Sequence, residues 1–348
     1  MRGMWAGAAL VCGALVAFAP AWAFDPTPSE AYAKPQTRVA VEGARRLNMY
    51  CEGTGSPVVL LDAGLGGSGY VWRQVQRSLA AHTRVCAYDR AGVGFSDPSP
   101  HPSDVVHIVA DLHRLIRSQA IGGPVIYVGH SIAGLYGLRL AADFPEDISG
   151  EVLVDPSVAG QFKRAMTILP PEIGVSLLHA RAQEVTRLET CVKLARRHRL
   201  RAPQTDAEKG CTGTDDGLDP VLRDSLARQY ATPQYQAANL SEQRSAAAGF
   251  SPSLDEQQVL SIHPRFGDKP LTVLTAGIQM HAPGVTAEQG ARLEVMSKQA
   301  HDRQAQLSQD GRSILVPGSG HFIQGDKPDV VIDEVVAVVE KVRSRPQK

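Results

Sequence analysis

The stretch Val125-Ile126-Tyr127-Val128-Gly129-His130-Ser131-Ile132-Ala133-Gly134 constrains the fold of this chain more than any other. Its first half is a β-branched, apolar run of the kind that forms a strand buried on both faces of a parallel sheet. That run breaks into small residues around one serine. A serine held on a tight turn between a strand and a helix has a strained backbone, so its neighbours must lack bulky side chains. Gly129 and Ala133 supply that room, with Gly134 directly behind. This is the sequence form of a nucleophile elbow; the competing reading is an ordinary strand-to-helix turn with an incidental serine.

The flanking sequence repeats the alternation. Pro57 to Leu61 is a continuous apolar run ending in the glycine cluster Asp62-Ala63-Gly64-Leu65-Gly66-Gly67-Ser68-Gly69, where backbone N–H groups can approach a ligand. Thr83 to Tyr88 leads into Asp89-Arg90-Ala91-Gly92-Val93-Gly94-Phe95-Ser96-Asp97, and a helical stretch follows from Asp104 to Ala120. Further strands are predicted at Gly150 to Asp155, Leu271 to Ala276 and Ser313 to Pro317. The last is followed by Gly318-Ser319-Gly320-His321-Phe322. A final helix opens near Pro328 and puts Val331, Val335, Val338 or Val339, and Val342 on one face, as packing on a sheet requires.

Composition narrows the partners. A chain of 348 residues, 43% hydrophobic, can bury one large α/β core with an insertion. Lys and Arg together number 36, as do Asp and Glu, so nothing calls for nucleic acid or an anionic membrane surface. The densest basic patch, Arg196 to Arg201, reads as a solvated helix end. At the start of the chain, Arg2, the apolar run Met4 to Phe18 and Ala21-Trp22-Ala23 have the order of a secretory signal, with cleavage expected after Ala23. The run is short for a membrane span. Export to the periplasm or beyond would leave four cysteines, Cys51, Cys86, Cys191 and Cys211, with three possible full pairings, or four free buried thiols. None belongs to a C-x-x-C, which argues against zinc, and no other metal or cofactor is expected.

Taken in order, the D-R-A-G-x-G-x-S-D turn at Asp89 to Asp97, the G-H-S elbow and the late G-x-G-H-F turn resemble those of the α/β-hydrolase superfamily, in its cap-bearing serine hydrolase branch. The resemblance covers about Arg38 to Asp155 and Pro264 to Val342. It implies a mostly parallel eight-stranded sheet with helices on both faces, sites at the carboxyl ends of the strands, and a helical cap after the sixth strand. The implied organisation is a core in two parts, 36–156 and 263–345, around a cap at 157–262. In the cap, Leu177 to Arg199 is expected as helix, Gly210 to Pro220 as loop, and Val221 to Tyr230 and Ser241 to Gly249 as further helices. The family's strand order places Cys51 beside Cys86, and Cys191 and Cys211 share the cap, which implies the pairs Cys51–Cys86 and Cys191–Cys211.

The resemblance also assigns roles. Ser131 is the nucleophile, activated by a neighbouring base, and His321, in its glycine-flanked turn after a strand, is that base. His130 adjoins the serine but is expected to point elsewhere, His263 precedes a proline, His107 and His113 lie on a helix, and His281 and His301 sit in loop and surface contexts. The acid departs from the family pattern: where a carboxylate usually follows the seventh strand, this chain has Gly277-Ile278-Gln279-Met280. Asp155, after the sixth strand, is the preferred candidate, with a turn-capping role as the alternative and Asp302 and Asp310 in reserve. Backbone N–H groups of Leu65 and Ile132 are the implied oxyanion donors. Asp62 has no role in this reading beyond that of a solvated turn residue. A serine disfavours the dehalogenase and epoxide hydrolase chemistries, which use aspartate at this position in the superfamily. The expected activity is hydrolysis of a small-molecule carboxylic ester through an acyl-enzyme; a lactone or amide hydrolase, an acyltransferase and a non-catalytic binding protein are the alternatives.

Overall fold

The structure, a computed structural model, describes residues 25–214, 217–247, 249, 251–278 and 283–345. The expected signal segment and its cleavage point lie outside them. Eight strands form one sheet: β1 (Thr37–Glu42), β2 (Arg45–Glu52), β3 (Val58–Asp62), β4 (Val85–Tyr88), β5 (Val125–His130), β6 (Ile148–Val154), β7 (Leu271–Ala276) and β8 (Gly311–Val316). Their spatial order is β1-β2-β4-β3-β5-β6-β7-β8, antiparallel at the β1–β2 and β2–β4 pairs and parallel elsewhere.

The helices are α1 (Gln76–Ala80), α2 (Val105–Arg117), α3 (Ala133–Asp143), α4 (Gln161–Ala165), α5 (Pro171–Arg196), α6 (Asp206–Thr212), α7 (Pro220–Tyr230), α8 (Pro233–Ala246), α9 (Leu254–Leu260), α10 (Ala287–Ala305), α11 (Ile323–Asp326) and α12 (Pro328–Ser344). Alternation along β3 shows how they divide. Val58 and Leu60 join the core formed with α2 and α3, whereas Val59 and Leu61 join the opposite core formed with α1 and α12. The valine face of α12 is buried as its spacing predicts, at Val331, Val335, Val338 and Val339, with Val342 packed at the margin. Each such side chain contributes about 1.5–3 kcal/mol.

Between β6 and β7 the chain leaves the sheet for α4 to α9. Three of these helices depart from the boundaries predicted from sequence. Helix α8 begins at Pro233, eight residues before Ser241, because Thr232 caps it by accepting the Tyr235 N–H and Pro233 occupies its first turn. Its inward face includes Gln236, Glu242 and Ser245 beside Leu240, so hydrophobic periodicity conceals its first turns. Helix α6 occupies part of the expected loop. Thr205 and Glu208 cap its start reciprocally, and the loop begins only after Thr212. Helix α5 also starts earlier, at Pro171, and the basic run at its end is exposed except for the buried Leu200.

Both expected cysteine pairs are disulfides. Cys51 on β2 lies opposite Cys86 on β4 and is bonded to it, and Cys191 on α5 is bonded to Cys211 on α6. Among the described residues no helix is long and apolar enough to cross a membrane.

Candidate active site

Ser131 follows β5 directly and adopts φ +57°, a conformation a non-glycine residue holds only when its surroundings impose it. The surroundings are backbone hydrogen bonds. Its N–H donates to the Val154 carbonyl (3.1 Å), while its carbonyl accepts from Gly134 (3.0 Å) and Ser157 (2.8 Å). Clearance is needed on both sides of the turn. A Cβ on Gly129 would stand 2.8 Å from Tyr127 Cε1, and one on Gly134 only 2.4 Å from Pro156 Cβ. Ala133 fits with its methyl fully buried, so the steric demand falls on the residue after it.

Three strand ends bring the polar residues together. His321 arrives in the turn after β8, with Nε2 2.9 Å from Ser131 Oγ and Nδ1 2.6 Å from Asp155 Oδ2. Asp155 follows β6 at φ +42°, its N–H bonded to the Leu274 carbonyl (2.9 Å) and its Oδ1 accepting the Ala276 N–H (3.0 Å). Burial works against its charge, but the His321 and Ala276 hydrogen bonds and the nearby imidazoles hold the carboxyl below its usual range. The reserve carboxylates are engaged elsewhere: Asp302 pairs with Lys298, and Asp310 with Lys341 (2.5 Å) and Arg345 (3.1 Å). The slot after β7 is closed to a side chain at Gly277, where a Cβ would meet the Val316 carbonyl oxygen at 2.6 Å. Gln279, Met280 and His281 lie outside the described residues.

Two histidines differ from expectation. His130 does not point away: its ring centroid is 4.7 Å from that of His321, and its Nε2 lies 2.9 Å from the His321 carbonyl oxygen, to which it must donate. Burial, and after it the neighbouring His321, push its pKa down to about 3, so it is neutral. His301 is no surface residue. It is buried on α10, where Nε2 donates to the Pro156 carbonyl (2.9 Å) and Nδ1 accepts from the Thr275 hydroxyl (2.8 Å). Each imidazole thus fixes backbone next to a triad position: His321 itself in one case, the residue after Asp155 in the other. The helix carrying His301 announces itself by the capping pair Thr286 and Gln289.

Asp62 also requires correction. It is fully buried at the end of β3, where Oδ1 accepts from Arg90 (2.8 Å) and Oδ2 lies 2.9 Å and 2.8 Å from the Tyr88 and Tyr127 hydroxyls. Beyond it, Gly64 approaches the serine so closely that a Cβ there would lie 3.3 Å from Ser131 Cβ. Among the described residues neither the Leu65 nor the Ile132 N–H donates to a protein acceptor.

Two cavities meet at His321. One, of about 370 Å³, is lined by Gly64, Leu65, Ser131 and His321 with Tyr70 and Asn239 opposite. The other, of about 510 Å³, runs past Asp155 and His301 between Phe162, Leu177 and Met296. Helices α4 and α5 of the insertion therefore wall the larger cavity, and α7 and α8 the smaller. Among the described residues no group of three His, Cys, Asp or Glu side chains could hold a metal ion.

Residues 58–334 match the model of the alpha/beta hydrolase family. The chain belongs to that family. A protein of Hormonema carpetanum named as the probable transporter efuK is 25% identical over 303 residues, 84% of this chain and 40% of that protein. A Klebsiella pneumoniae (strain 342) protein named as a carbamate hydrolase, RutD, is 39% identical over 102 residues, 29% of this chain and 38% of the relative. The chain spans well under half the length of either relative. A Pseudomonas aeruginosa structure described as an epoxide hydrolase superposes with a TM-score of 0.58 at 16% identity, covering 88% of this chain and 96% of that one, a likeness of fold alone.

Proposed function

We propose that this alpha/beta hydrolase cleaves carboxylic esters by way of an acyl-enzyme on Ser131. The observation that carries the proposal is the continuous relay from Ser131 Oγ through His321 Nε2 and Nδ1 to Asp155 Oδ2, at 2.9 and 2.6 Å. In this reading the serine oxygen bonds to the ester carbonyl carbon as its proton passes to His321 Nε2. The carboxylate of Asp155 keeps Nδ1 protonated, so that Nε2 is the free base, and stabilises the imidazolium that forms. The negative charge on the former carbonyl oxygen is met by the N–H groups of Leu65 and Ile132. Collapse breaks the ester C–O bond, and the alcohol leaves with the proton from Nε2. Water then gives a proton to His321 and its oxygen to the acyl carbon; the acid departs and Ser131 regains its proton.

The cavity beside Leu65 and Ser131 suits the reacting ester, and the larger, mostly apolar one suits a small-molecule acyl or alcohol chain. The name of the RutD relative points to another acyl derivative, a carbamate, on a match of 102 residues only. We further read the protein as exported to the periplasm or beyond; the amino-terminal sequence and the two disulfides support that.

The test is covalent labelling. Wild type, Ser131→Ala and His321→Ala are incubated with a fluorophosphonate probe, and the modified residue is found by mass spectrometry. Labelling at Ser131 that both substitutions abolish is expected, followed by turnover in a screen of esters, lactones and carbamates. A folded wild type that resists the probe would overturn the hydrolase reading in favour of a binding role.

A further inference from the structure

Arg90 lies in the glycine-rich turn after β4 and touches neither Ser131 nor His321 through any hydrogen bond, yet all five of its N–H donors are used. Nε donates to Glu242 Oε1 (2.8 Å), Nη1 to Asp62 Oδ1 (2.8 Å) and the Ala63 carbonyl (2.7 Å), and Nη2 to the Gly64 carbonyl (2.7 Å) and Glu242 Oε2 (3.1 Å). The guanidinium, Asp62 and Glu242 are at most 2% exposed. Glu242 belongs to helix α8 of the insertion, 152 residues away in sequence, and its Oε2 also accepts the Gly66 N–H (2.8 Å). A buried arginine and a buried glutamate thus hold three peptide units in the segment Ala63 to Gly66.

The middle one of these is the peptide between Gly64 and Leu65. Because a trans peptide is planar, its C=O and N–H point in opposite directions. Fixing the Gly64 oxygen on Arg90 Nη2, with the Gly67 N–H as a second donor (3.0 Å), therefore fixes the direction of the Leu65 N–H. The glycine of that unit is the one packed against Ser131. We infer that Arg90 and Glu242 are positioning residues that aim the Leu65 oxyanion donor, and that Glu242 makes this aim depend on the docking of α8. The inference rests on the ester hydrolase reading, in which the Leu65 N–H meets the transition state.

Glu242→Gln tests it. The amide keeps the side chain's shape but presents one acceptor oxygen where Arg90 and Gly66 require two. Active sites are counted by fluorophosphonate titration, and acylation by a p-nitrophenyl ester is measured per active site, beside inhibition by an alkyl trifluoromethyl ketone whose serine adduct carries an oxyanion. Losing a whole oxyanion donor costs about 10²–10³-fold in turnover, and a misdirected one is expected to cost roughly tenfold or more. The expected result is slower acylation per site with KM little changed, and ketone affinity weakened by the same factor. Unchanged acylation per site, even in a less stable variant, would overturn the inference by showing that the pair only supports the fold. If Glu242→Gln does not fold, Glu242→Asp, which withdraws the charge by one methylene, is read in the same way. A wild type that is never labelled would instead remove the hydrolase reading on which this one stands.

Discussion

Replacing Asp155 by asparagine should be far more damaging than the loss of one negative charge suggests. The backbone N–H of Ala276 donates to Oδ1 at 3.0 Å and can be met only by an acceptor, so the asparagine oxygen must take that position. Its amide nitrogen then faces His321 Nδ1, where the carboxylate stands 2.6 Å away in the native protein. The N–H donors of the amide force Nδ1 to accept. The ring proton moves to Nε2, directed at Ser131 Oγ, and the base is occupied before the reaction starts. A wrong-tautomer histidine costs about 10⁴ in turnover, roughly 5 kcal/mol of transition-state stabilisation. The assay is kcat/KM for a p-nitrophenyl ester between pH 6 and 10, with unfolding monitored by circular dichroism to establish that the variant is native. Asp155→Ala, which leaves the tautomer free, should be no worse. A folded Asp155→Asn within tenfold of wild type would refute the reasoning and return Asp155 to a turn-capping role.

Three further outcomes are expected. Gly134→Ala places a methyl 2.4 Å from Pro156 Cβ and must push the elbow from the segment carrying Asp155; a loss of about 1–3 kcal/mol and at least a tenfold fall in kcat/KM are expected from denaturant unfolding and ester turnover. Asp255, whose Oδ1 accepts the Val105 N–H, has its pKa raised by burial, and then by Asp104 and Glu242, to about 7. Folding therefore favours its protonated form, so its contribution is favourable below about pH 4 and is lost as pH rises to about 7, on the order of 4 kcal/mol in all; the stability difference between wild type and Asp255→Asn should vary across that window and be flat above it. Reducing the two disulfides, which span 35 and 20 residues, should destabilise the protein by up to about 4 and 3 kcal/mol by the chain-entropy argument, and thiol titration of the denatured protein lacking residues 1–23 should find no free cysteine.

The parts of the site that could be read from the sequence are those whose physical demand is met by adjacent residues. The elbow is legible because strain at Ser131 requires small neighbours at 129 and 134, and His321 because the turn holding it is built from its own glycines. Asp155 comes from the family resemblance, which allows the acid after the sixth strand where residues 277 to 280 offer no carboxylate. What stayed hidden is held by contacts remote in sequence. Asp62 looks like a turn residue until Arg90, Tyr88 and Tyr127 surround it, and nothing near Glu242 suggests that it is buried against that arginine. Helix α8 was misjudged for the same reason: its polar residues are turned inward to partners on the core, which erases the apolar stripe by which a helix is recognised. His301 is the milder case: the capping pair Thr286 and Gln289 marks the start of its helix, a signal the sequence reading passed over, but does not say which face is buried.

The hydrogen bonds that hold the triad divide the labour between the sheet and the insertion. Ser131 is bonded to Val154 and Ser157, Asp155 to Leu274 and Ala276, and His321 to His130 at the end of β5, so each of the three is tied to the end of another strand through at least one backbone group. The backbone bonds from Ser131 to Val154 and from Asp155 to Leu274 continue the parallel register of β5–β6 and β6–β7, whereas the Ala276 and His130 bonds each use a side chain. On the proposed ester hydrolase reading, the insertion enters the reaction machinery through Glu242 and encloses the substrate through residues such as Phe162, Leu177 and Asn239. Reactivity and selectivity are thus built from separate segments of chain. Substitutions in α4 and α5 should alter which ester is taken without disturbing the base, whereas a displacement of α8 alters the oxyanion donor and the cavity wall together, because the same helix supplies Glu242 to the one and Asn239 to the other.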